Sequence, residues 1–147
     1  MRKAAYIGGL AGVALLATLL IRTDFADGLA WKSLVEEVRR ENSDGFRAYV
    51  ELVDETGFAS ADPLELKAAV AMAGTDAAVL FVADSQTLGQ SGFPILVIDL
   101  LEDRPSFRCL ARNLWSVDNN LNIANMGWEE FSTATDDEGV FRGVEEA

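Results

Sequence analysis

The chain contains no histidine and only one cysteine in 147 residues. Without histidine there is no Ser-His-Asp or Cys-His catalysis and no histidine-ligated zinc, and the commonest general base is missing. A single thiol, Cys109, permits no internal disulfide and no cysteine-cluster metal site. It lies in the alternating run "SFRCLA", where a buried structural thiol is expected, since no histidine is present to activate it. Basic residues are also scarce, 12 against 24 acidic ones, for a formal charge of −12. Setting aside Arg2 and Lys3 leaves 10 against 24, or −14. Nucleic acid is excluded as a partner, because phosphate binding needs clustered lysine and arginine. Adhesion to an anionic membrane surface is disfavoured for the same reason. An acidic surface keeps a small protein soluble and steers basic partners toward it. No phosphate-binding loop occurs; "GGLAG" at 8–12 shares only glycine content with one and follows no strand.

Half of the residues are hydrophobic, enough for one domain with one core. "TLLIRTDF" reads as a buried strand. Trp31, Leu34, Val35 and Val38 then mark one face of a helix. "RAYVELVD" alternates and reads as a second strand. "DPLELKAAVAMAG" is punctuated as a helix by Asp62 as N-cap, Pro63 at its first position, Glu65 at its third and Gly74 as terminator. "AAVLFVAD" is a continuous apolar run, typical of a strand covered on both faces. "SQTLGQSG" reads as a polar loop. "FPILVIDLL" and "SFRCLA" form an antiparallel pair across "EDRP". "NLNIANM" reads as a further strand, and "GWEEFSTAT" as a short helix with Asn125 as its candidate cap. "DDEG" is then a turn leading to "VFRGV". The expected fold is α/β: a single domain with a mixed, mostly parallel sheet, β-α-β-α-β followed by a hairpin and a short β-α tail.

Residues 1–17 form an apolar N-terminal segment, and residues 18–147 the domain. The free apolar run at 4–17 would span about 21 Å as a helix, short of the roughly 30 Å of a bilayer core. A membrane anchor would have to use residues 4–21 and so consume the first strand. A signal peptide would cut after Ala17, although Leu15 is large for its position. A docked or dispensable extension is the third reading. The cytoplasm is the favoured location, with export or anchoring open through residues 1–21.

The stretches "LLIRTDF…W", "FRAYVELVD", "LFVAD…TL", "ILVIDL", "FRCL", "LWSVDNNLNIANM" and "EEF…DDEGVFRG" carry a resemblance. Over residues 19 to 143 the chain resembles a family of small, mostly actinobacterial proteins known as domain of unknown function 6924. "WSVDNNLNIANM" and "GVFRG" are the most specific parts. The resemblance implies a compact α/β domain and assigns no activity and no catalytic residue.

Two sets of residues are candidates for a site. Asp24, Asp54 and Asp84 each end one of the first three predicted strands, thirty residues apart. Ligands in open α/β sheets bind beyond the carboxyl ends of the strands. Three converging carboxylates there could hold Mg²⁺ for phosphoryl transfer or hydrolysis, with hydroxyls from Thr23, Ser85 and Thr87. The competing reading is that each aspartate caps the turn that follows it. Asp99, inside "LVIDLL", needs a partner, for which Arg22 and Arg108 are the candidates. The second set is Trp115, Asn119, Asn120, Asn122 and Asn125, with Arg142 as an anion binder or as a clamp on an acid. Aromatics beside side-chain amides have the composition of a binding surface, and equally of a turn beside a core. Trp128 and Phe131 are expected in the core. Three functions follow: a small acidic module that recognises a basic protein and uses no cofactor, a Mg²⁺-dependent enzyme, or an accessory domain tethered at the envelope.

Overall fold

The computed structural model describes residues 18–124 and 126–143, so the readings made of residues 1–17 and of Asn125 lie outside the described residues. Six strands form one sheet in the order β2-β1-β3-β4-β5-β6. They are β1 (Thr18–Arg22), β2 (Val50–Val53), β3 (Val79–Ala83), β4 (Pro94–Asp99), β5 (Phe107–Leu110) and β6 (Val140–Phe141). β1 lies parallel to both β2 and β3; β4 runs antiparallel to β3 and β5; β6 returns parallel to β5. The expected α/β class and the β4–β5 pair are therefore both present.

Among the described residues, five helices cover the sheet: α1 (Gly28–Arg39), α2 (Pro63–Ala73), α3 (Ser85–Gly89), α4 (Leu114–Asn122) and α5 (Trp128–Ser132). Among the described residues, no helix is long and apolar enough to cross a membrane. α1 and α2 follow their sequence signals. Asp27 accepts the backbone N–H groups of Leu29 and Ala30, and α1 buries Trp31, Leu34 and Val38. Asp62 caps α2 above Pro63, and Gly74 ends it at φ 79°, the left-handed conformation that suits glycine.

The strand alternation divides the core in two. Leu19, Ile21, Leu80, Val82 and Ile98 face α2 through Leu66 and Val70, with Phe58 closing that side. Leu20, Val79, Phe81, Ile95, Val97, Phe107 and Cys109 face α1, α3, α4 and α5. On this second face Phe107, Trp128, Phe131 and Phe141 form a chain of aromatic contacts with centroids 5.0 to 6.3 Å apart. Burial of the Cys109 side chain pushes its thiol well above the usual range, as expected of a structural cysteine.

Three local expectations are corrected. "SQTLG" is not loop but α3, one short helix held by a capping box in which Asp84 and Thr87 bond each other's backbone N–H. "NLN" belongs to α4, not to a strand; Leu114 and Val117 bury one face, and the neighbouring Asp118 is buried too. α5 begins at Trp128 and its N-cap is Gly127, whose N–H is taken by the Glu130 carboxylate, rather than Asn125.

Candidate binding cleft and the acid–arginine edge

The strand order sets β2, β1 and β3 side by side, so Asp54, Asp24 and Asp84 do stand along one edge of the sheet. They do not pool their carboxylates. Asp54 accepts from Arg22 at 3.2 Å. Asp24 caps its own turn by accepting from the Ala26 N–H, and its backbone carbonyl takes the Arg22 Nε at 2.9 Å. Asp84 accepts both arms of Arg108, at 2.9 and 2.7 Å, while its Oδ1 also takes the Thr87 N–H. Thr87 is committed as well, its hydroxyl donating to the Pro94 carbonyl at 2.9 Å. Among the described residues, no three Asp, Glu, Cys or His side chains are grouped to hold a metal ion. Arginines pair with two of the three carboxylates, Arg22 with Asp54 and Arg108 with Asp84, and Asp24 caps its own turn.

Electrostatics follow from these pairings. Burial pushes the Asp84 carboxyl up, but the Arg108 guanidinium and the Thr87 N–H together hold it below the ordinary carboxylate range. Asp99 behaves alike, except that its partner is neither Arg22 nor Arg108. β4 runs opposite to its neighbours, which puts Asp99 at the other edge of the sheet, where Arg104 grips it at 2.7 and 3.3 Å. Asp118 differs in kind: burial raises its pKa, and its partners are the Thr18 hydroxyl, the Tyr49 N–H and the Asn122 amide, none of them cationic.

The second candidate set is divided by the structure. Asn122 is architectural: its amide spans Thr18, Asp118 and the Ala78 N–H, tying α4 to the starts of β1 and β3. Asn120 folds back onto the Ser116 carbonyl of its own helix, and Asn119 stands exposed on α4. Trp128 is core, with its indole N–H on the Pro105 carbonyl.

Trp115 and Arg142, in contrast, meet in one cleft of about 620 Å³. Three stretches of chain wall it. The first is the loop Asn42–Phe46, closed on itself by the Asn42 carboxamide oxygen, which accepts the N–H groups of Asp44 and Phe46. The second is the 3₁₀ turn Ala111–Asn113 with the first turn of α4, and the third runs from Phe141 to Gly143. Phe46 stacks flat on Trp115 at 5.2 Å, which fixes the first wall to the second. A Cβ on Gly143, at φ +97°, would come 2.8 Å from the Asn113 Nδ2, so this close approach of second and third walls requires glycine.

The charges in the cleft are unevenly satisfied. Arg142 is paired to Asp136, the clamp expected of it, and the pair holds the Asp136 carboxyl below its ordinary range. Arg112 and Asp44 have no ion-pair partner among the described residues. Asn113 Oδ1 is a buried side-chain oxygen with no hydrogen-bond donor among the described residues. Neither Arg112 nor Phe46 was marked by the sequence; both depend on contacts to residues far away along the chain. No curated protein matches the chain. The family model for a domain of unknown function, DUF6924, matches residues 17–144, which takes in every described residue, and the chain belongs to that family.

Proposed function

We propose that this domain is a binding module that recognises a protein partner, with the Trp115 cleft as its anchor pocket. The observation that carries the reading is the cleft itself: three distant segments converge to hold one aromatic face beside an unpaired guanidinium and an unpaired carboxylate. A volume of about 620 Å³ lies in the range of sites that take a small ligand or a few residues of a chain. Trp115 is half-buried and backed by Phe46, so it offers a rigid ring at little entropic cost, the usual character of an interface anchor. Arg112 suits a carboxylate or carbonyl of the partner and Asp44 a cation. The Asn113 acceptor adds a place for an N–H donor. The acidic excess of the chain favours a basic partner and would speed its encounter.

The test is quantitative cross-linking of the tagged full chain in extract of its own host, with wild type beside Trp115→Ala and Arg112→Glu. The wild type is expected to capture a partner of net positive charge, with yield falling as salt rises. Each variant should reduce capture about tenfold or more while keeping wild-type circular dichroism, since truncating a central anchor costs about 2 kcal/mol or more. Equal capture by all three proteins, or none by the wild type, would dispose of the proposal.

A further inference from the structure

Among the described residues, the four-residue β2 is paired only with β1 and carries no strand on its other side, while the opposite edge of the sheet ends in the two-residue β6. Exposed edges are commonly blunted by proline or a bulge; Val50-Glu51-Leu52-Val53 contains no proline, and its register with β1 is unbroken. Beside this edge lies a groove of about 380 Å³ between α1 and β2, with Trp31, Val35 and Leu52 as its apolar lining.

The charge around the groove is unusual for this chain. Among the described residues, the cations without a carboxylate partner are Lys32, Arg39, Arg47 and Arg112. Lys32 and Arg39 line the groove, and Arg47 stacks on Tyr49 just ahead of β2. The groove also contains Glu36 and Asp54, but Asp54 is neutralised by Arg22. Three of the four cations without a carboxylate partner among the described residues thus lie along or just ahead of β2, in a chain whose formal charge is −12.

We propose that β2 is an acceptor edge: an extended, acidic segment of a partner protein adds to the sheet alongside Val50–Val53, with apolar side chains in the groove and carboxylates on Lys32 and Arg39. Main-chain hydrogen bonds supply the affinity in strand addition, and side-chain pockets supply the selection. Charge decides against a second copy of the chain as occupant. With Asp54 paired to Arg22, the groove's remaining charged side chains, Lys32, Arg39 and Glu36, sum to one positive charge, so two-fold pairing of β2 with itself would set two net-positive grooves against each other. This surface is separate from the Trp115 cleft, and the inference does not depend on that reading.

The experiment is a titration of the ¹⁵N-labelled full chain with a short blocked peptide of alternating valine and glutamate, and with its valine–lysine counterpart. The acidic peptide is expected to shift the Val50–Val53 amides and the Trp31 indole to saturation, and the basic peptide to leave them unmoved. Lys32→Glu with Arg39→Glu, both exposed positions, should weaken binding about tenfold or more with the spectrum still dispersed. The inference fails if neither peptide binds, if both bind equally, or if the shifts gather around Trp115. It fails equally if β2 amides move with protein concentration alone, which would identify a second copy as the occupant.

Discussion

Replacing Asp84 with asparagine tests the arginine-neutralised edge most directly. Asparagine is as good an N-cap as aspartate, so Asp84→Asn keeps the cap on α3 and removes only the charge. Arg108, 15 % exposed, would retain the Pro94 carbonyl at 3.1 Å but lose its carboxylate. Breaking a fully buried pair costs about 3–5 kcal/mol, and an exposed pair contributes about 0–1 kcal/mol. Asp84 is 27 % exposed, so solvent screens part of the interaction and a loss of about 2–3 kcal/mol is expected. With a urea dependence of about 1–3 kcal/mol per molar, the midpoint should fall by about 1–2 M. The pH dependence has a definite sign. The folded Asp84 carboxyl titrates below the ordinary aspartate value of 3.8, so the pair's contribution is complete above that value and is lost as pH falls through the folded pKa. The gap between wild type and variant should therefore be constant from pH 7 to about 5 and should close below about 4. Asp84→Ala removes the cap as well and should cost about 1 kcal/mol more. A gap under about 0.5 kcal/mol at neutral pH, or one that does not narrow in acid, would refute the assignment of Arg108 as the charge that stabilises this edge.

Asp118 should show the opposite pH behaviour. Its folded pKa is raised, so its charge weakens the fold as pH rises from the unfolded value of 3.8 through the folded one, and chemical denaturation of Asp118→Asn should remove that component of the pH profile. Phe131→Ala removes a fully buried ring at the centre of the aromatic chain and should cost about 3–5 kcal/mol in urea unfolding. Gly143→Ala should destabilise by about 1 kcal/mol or more and shift the Asn113 side-chain amide resonances, because it forces a Cβ against that group at positive φ. Cys109 should resist a thiol reagent in buffer and react fully in denaturant; prompt reaction of the native protein would contradict its burial.

Elements whose signals are local were legible in the sequence. Asp62, Pro63 and Gly74 bracket α2 whatever surrounds it, and the apolar run of β3 fits a strand buried on both faces. α3 was not legible, because five polar-rich residues become a helix only when the Thr87 hydroxyl finds the Pro94 carbonyl. α4 was obscured by Asp118, a carboxylate on its buried face that is satisfied by Tyr49 and Thr18 from other elements. The site divides in the same way. Trp115 and Arg142 stand out by residue type, whereas Phe46 matters through its stack on Trp115, and Arg112 through having no ion-pair partner among the described residues. The partner of Asp99 lay five residues away in the turn, but only the reversed direction of β4 removes Arg22 and Arg108 from contention.

The last strand also bears on synthesis. β6 lies beside β5, and Phe141, which sets its ring edge-on against Phe131, is synthesised after Phe107, Trp128 and Phe131, the other rings of that aromatic chain. A nascent chain that stops short of Phe141 presents the Phe107–Phe131 cluster and the β5 edge to its surroundings. Closure of this side of the core therefore waits on β6, and the unfinished face is where a chaperone would first find the chain.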